Sequence, residues 1–77
     1  MIIKILGTGC SNCKKLEANV KKAVGKLGVN AEIVKVQEIK DIMAYSVMRT
    51  PALVIDEKVK SYGKVASVEE IVKFIQG

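Results

Sequence analysis

Cys10 and Cys13 are the two thiols of the chain, separated by Ser11 and Asn12. They fall where an apolar, β-branched run, Met1-Ile2-Ile3-Lys4-Ile5-Leu6, gives way through Gly7-Thr8-Gly9 to a helical pattern beginning at Ser11. Cys10 therefore stands at or just before the first helical turn. Unpaired amide N–H groups and the positive end of the helix dipole favour an anion there, so its thiolate should form more readily than that of a free cysteine. That makes Cys10 the candidate nucleophile. Two Cα atoms three residues apart on a helix lie roughly 5 Å from each other, within reach of a disulfide, so Cys13 can close the bond. Such a bridge spans a tiny loop and removes little entropy from the unfolded chain, so its value is chemical rather than structural. In a reducing compartment a lone pair of this kind is catalytic or metal-binding. Two soft thiolates suit Cu(I). With no histidine and only two thiols, the chain falls short of a four-ligand zinc site and has no Cys–His dyad.

The chain has 77 residues, a size that implies one domain spanning 1–77 around one core. Its apolar N-terminal run is short and no stretch approaches the roughly 18 apolar residues of a membrane span, so a cytoplasmic, membrane-free protein is expected. The formal charge is +5, but every basic residue except Arg49 is a lysine. Arg alone offers the planar fork that reads phosphates and guanines. One Phe, two Tyr and no Trp are too few for a base-stacking platform. Nucleic acid is therefore not an expected partner, and the lysines read as solvated faces. Lys14, Lys15, Lys21, Lys22 and Lys26 nevertheless crowd the segment after the cysteines, where Glu17 is the only acid, which favours acidic partners.

These side chains must be positioned by elements that the pattern also predicts. The first helix carries Leu16, Val20, Ala23, Val24 and Leu27 on one face and ends at Gly28, a left-handed cap. Asn30 to Val36 reads as a strand parallel to the first, completing a βαβ unit. Glu38 to Val47 places Ile39, Ile42 and Met43 at helical spacing. Ala52–Ile55 and Lys58–Tyr62, separated by Asp56-Glu57, form an antiparallel hairpin. Ser67-Val68-Glu69-Glu70 is a capping box that opens a third helix with Val68, Ile71, Val72 and Ile75 on its apolar face. The order is β-α-β-α-β-β-α. Pro51, lacking an N–H, must start the third strand or lie on an edge. By composition alone its peptide bond is trans, cis being found in about 5–6% of X–Pro bonds.

Cys10-Ser11-Asn12-Cys13 after the first strand, Thr50-Pro51 before the third and Gly63 after the fourth resemble a thioredoxin fold. More narrowly, Gly7-Thr8-Gly9-Cys10 with Thr50-Pro51-Ala52-Leu53-Val54-Ile55-Asp56 resembles the small glutaredoxin-like thioredoxins of prokaryotes, the redox-active disulfide proteins. The resemblance covers essentially the whole chain. It implies an α/β domain with a four-stranded mixed sheet flanked by helices, and a protein disulfide oxidoreductase in which Cys10 attacks and Cys13 resolves. It also implies a cis Pro51 against the cysteine pair and substrate contacts at Thr50, Pro51, Ser11 and Asn12, with Gly9 and Gly63 in loops beside the site. The partners implied are disulfide-containing proteins and a thioredoxin reductase-like flavoprotein. The disulfide itself is the only redox group, with no metal, in a monomer.

The departures are informative. Gly9 and Ser11-Asn12 stand where thioredoxins proper have Trp before the first cysteine and Gly-Pro between the two. Lys4 occupies the place, six residues before Cys10, where many thioredoxins keep a buried acid. Gly63-Lys64-Val65-Ala66-Ser67 does not match the Gly-Gly-x-x-Asp of glutathione-binding glutaredoxins. A rival from another class is the heavy-metal-associated copper chaperone, which Gly7-Thr8-Gly9-Cys10-Ser11-Asn12-Cys13, an amphipathic helix and Gly28-Val29 also resemble. Those modules carry Met at the place of Thr8 and continue with a hairpin rather than a second helix and Thr-Pro. A third reading is an interaction module with incidental cysteines.

Overall fold

Ile2, Ile3 and Ile5 suit a pleated surface and form β1 (Ile2–Leu6) in the computed structural model of the chain, which describes residues 1–9 and 11–76. The chain returns along α1 (Ser11–Leu27) and pairs β2 (Glu32–Val36) parallel to β1, with Ile2 opposite Glu32 and Leu6 opposite Val36. A parallel pair requires such a crossover. The first helix stops as expected: Gly28 takes φ +65°, and its N–H donates to the Val24 carbonyl at 2.9 Å, the left-handed cap that glycine adopts without steric cost.

On the other side of β1 lies β3 (Ala52–Ile55), antiparallel to it, followed by β4 (Lys58–Tyr62), giving the order β2-β1-β3-β4. Asp56 and Glu57 both have positive φ, 49° and 69°, as a two-residue primed hairpin turn requires. All four residues of β3 are buried, because the sheet is covered on both faces. One face packs Ile3, Ile5, Leu53 and Ile55 against Leu16, Val20 and Ala23 of α1 and Ile71 of α3 (Val68–Gln76). The other packs Leu6, Ala52 and Val54 against Ile42 of α2 (Ile39–Met43), with Tyr45 and Val47 at its edge. Asn19 ties the helical layer together, its side-chain N–H donating to the Ala66 carbonyl at 2.9 Å.

Two elements are shorter than their patterns. β2 begins at Glu32 rather than Asn30, where its N–H first reaches the Met1 carbonyl at 3.0 Å. The second helix covers Ile39–Met43 instead of Glu38 to Val47. Its end tightens into three-residue turns, Tyr45 N–H to Ile42 O at 3.1 Å and Ser46 N–H to Met43 O at 2.9 Å, and Ser46 then turns left-handed at φ 61°. That bend brings Tyr45 and Val47 back onto the sheet, a tertiary gain invisible to local spacing.

The capping box forms as read. Glu70 N–H donates to Ser67 Oγ at 3.2 Å, and Glu70 Oε1 accepts from the Ser67 N–H at 3.2 Å. Lys64, 2.7 Å away, and then the Ser67 N–H hold the Glu70 carboxyl below its ordinary value of 4.5. A depressed carboxylate contributes stability that is present above that value and is lost as the pH falls through the lower, folded one. Ser67→Ala is expected to cost about 1 kcal/mol at neutral pH, read from the urea midpoint. Glu70→Gln should flatten the stability loss seen on acidification below pH 4.5.

Candidate active site

Cys13, the third residue of α1, is only 6% exposed. It faces Gly7, just beyond β1, so closely that a Cβ added to Gly7 would coincide with Cys13 Sγ and lie 3.4 Å from Cys13 Cβ. On its other side that added atom would be 3.9 Å from Pro51 Cα. Gly7 is thus a spacer between the buried cysteine and the proline, needed for its missing side chain. Pro51 is fully buried, Thr50 is exposed, and the bond between them is cis rather than the trans form expected from composition.

Gly63 completes this corner. At φ +70° it donates its N–H to the Pro51 carbonyl at 3.0 Å, and an added Cβ would press on Arg49 side-chain carbons at 3.1 and 3.2 Å. Gly9 turns at φ +89° toward Gln37. Ser11 and Asn12 are exposed on the first turn of α1. Cys10 lies outside the described residues; Gly9 and Ser11 are its neighbours in the chain. Of the residues singled out in the sequence, Cys13, Pro51 and Gly63 therefore meet, Thr50 sits at their rim, and Ser11 and Asn12 share the helix surface alongside.

A small cleft of about 60 Å³ opens beside Cys13, with Ile5, Gly7 and Gly9 along one side and Lys14, Glu17, Lys35 and Gln37 along the other. Glu17 bridges Lys35 at 3.2 Å and Lys21 at 3.3 Å. Burial pushes the Glu17 carboxyl up, but hydrogen bonds from Lys35 and Lys21 outweigh it and hold it below the ordinary carboxylate range. Sequence reasoning passed over Gly7, Glu17 and Lys35. The available signal for Glu17 was its spacing, four residues after Cys13 and hence one turn along the same helix face. Lys35 needed the parallel register that sets it opposite Ile5.

Lys4 is not part of this cluster. Its ammonium lies on the α2 side of the sheet, donating to Tyr45 Oη at 2.7 Å and to Glu57, while Tyr45 Oη is 3.1 Å from Glu57 Oε2. The Glu57 bond first, then Tyr45, holds the Lys4 ammonium above the ordinary lysine range. The position that holds an acid in many thioredoxins is thus a structural cation here, turned away from Cys13.

A mixed four-stranded sheet with helices on both faces, and a buried helix cysteine set against a cis-proline, defines the thioredoxin class of α/β fold. The thioredoxin domain family matches residues 1–76, and the chain belongs to that family of thiol–disulfide oxidoreductases. It is 44% identical over 75 residues to a thioredoxin of Methanothermobacter thermautotrophicus, covering 97% of each chain. It is 46% identical over 71 residues to a thioredoxin of Methanocaldococcus jannaschii, covering 92% of this chain and 81% of that one. No helix among the described residues is long and apolar enough to cross a membrane.

Proposed function

We propose that this protein reduces disulfides in other proteins through a reversible Cys10–Cys13 couple. The Cys10 thiolate attacks one sulfur of the partner's disulfide, forming a mixed disulfide and releasing the first partner thiolate. Cys13 then loses its proton and attacks Cys10 Sγ. The mixed bond breaks, the Cys10–Cys13 disulfide forms, and the second partner thiolate leaves; both partner thiolates take up protons. Two electrons and two protons have passed from the dithiol to the partner. Recycling takes a two-electron reductant, in our reading a thioredoxin reductase-like flavoprotein. No cofactor or metal enters the cycle, and the protein works as a cytoplasmic monomer of one domain, 1–77, without nucleic acid or membrane.

The observation that carries this reading is the burial of Cys13 between Gly7 and Pro51 while its partner cysteine stands three residues earlier, in a chain of the thioredoxin family. A shielded second thiol suits resolution, because it meets only a disulfide already formed at its neighbour. Exposed Thr50, with Ser11 and Asn12 on the helix surface, offers the partner's backbone a place to lie. The test is the thiol count of metal-free protein equilibrated across dithiol/disulfide buffers, read by the mass gained on alkylation. A single two-electron transition is expected. Failure to form the intramolecular disulfide would overturn the reading and favour the alternative use of the two thiols, Cu(I) binding.

A further inference from the structure

The resolving step needs the Cys13 thiolate, yet burial disfavours the charged form of a thiol. Something near Cys13 must offset that cost. The charged groups facing it are few. From α1 come Lys14 and Glu17, from β2 comes Lys35, and these line the cleft at its side. β1 offers Ile5 and Gly7, and the segment before β3 offers Pro51, none of them charged. Cys10 carries no charge while it is in a mixed disulfide. Lys4 is bound to Glu57 and Tyr45 on the opposite face.

The carboxylate in the cleft is poorly suited to receive the Cys13 proton, since Lys35 and Lys21 keep Glu17 ionised at 3.2 and 3.3 Å. Its use is mechanical. Lys35 projects from an edge strand and its side chain is 55% exposed, so without an anchor its ammonium would sample solvent. Glu17, one helical turn beyond Cys13, has its Cβ about 5–6 Å from that of Cys13 and holds the ammonium on the cysteine's side of the cleft. Beside the apolar wall of Ile5 such a charge is less screened than in bulk water.

We propose that Lys35, held at the cleft by Glu17, is a positioning residue that supplies the positive field under which Cys13 ionises and resolves the mixed disulfide. The proposal rests on the dithiol function set out above. It also sets the sign of each perturbation. Lys35→Met removes the favourable charge and should make Cys13 harder to ionise. Glu17→Gln removes the nearest negative charge while its amide oxygen still accepts from Lys35, so Cys13 should ionise more readily. A proton-accepting carboxylate would give the opposite result for Glu17→Gln.

The experiment mixes reduced protein with dithiobis-nitrobenzoate and follows the coloured thiolate in two phases, attack by Cys10 and then release by Cys13, across pH. For the second phase, Lys35→Met should raise the pH midpoint by about half a pH unit or more and Glu17→Gln should lower it. Lys35→Arg should keep the wild-type midpoint. An unchanged midpoint in Lys35→Met, or a second phase slowed by Glu17→Gln, would overturn the proposal. A wild-type protein that never releases the second equivalent would instead refute the dithiol function beneath it.

Discussion

Gly7→Ala is expected to destabilise the protein by about 1–3 kcal/mol, the usual cost of overpacking a closed interior, and to slow resolution by Cys13. The added methyl would occupy the position of Cys13 Sγ, and Pro51 closes the other side. Neither neighbour yields cheaply. Cys13 is carried by a helix anchored through Leu16, Val20 and Ala23, all wholly buried, and Pro51 is buried too. Native proteins of this length are stable by about 4–12 kcal/mol, at 0.05–0.15 per residue, so the loss is a substantial share of the whole. Gly25 provides the control. It lies within α1 with nothing within 4 Å of an added Cβ, so Gly25→Ala should stabilise by about 0.5–1 kcal/mol through helix propensity. Urea midpoints and the second-phase rate of thiolate release check both variants. Wild-type stability and rate in Gly7→Ala would show that Cys13 does not pack there.

The contrast between these two glycines shows what could be read in advance. Both look alike in the sequence; only the packing of α1 over the end of β1 separates them. Patterns confined to one element were legible: the apolar face of α1 with its Gly28 stop, the Ser67–Glu70 box, and the Asp56-Glu57 turn, because propensity, capping and period act locally. The second helix was overextended because Ile39 and Met43 keep helical spacing yet stay 64% and 67% exposed. Only Ile42 reaches the sheet from α2, and Tyr45 and Val47 reach it from a turn instead. The site divides in the same way. Cys10, Cys13, Thr50, Pro51 and Gly63 could be named from short motifs and a family resemblance. Gly7, Glu17 and Lys35 depend on contacts between strands and helix that no motif spans, and Lys4 could be placed only once strand alternation put it on the α2 face.

The order in which the two sulfurs act is the core of the account, and separate serine variants test it. Cys13→Ser retains the attacking thiolate but has nothing to break the mixed disulfide, so mixing it with a disulfide-containing protein should accumulate a covalent complex approaching one partner per molecule. Cys10→Ser leaves only a thiol that is 6% exposed, too shielded to reach a folded partner, and should accumulate none while losing turnover to background. The decisive measurement is the intact mass of each variant after such mixing under non-reducing conditions. The account predicts the complex for Cys13→Ser alone, dispersed by added dithiol. Equal trapping by Cys10→Ser, or none by Cys13→Ser, would contradict it.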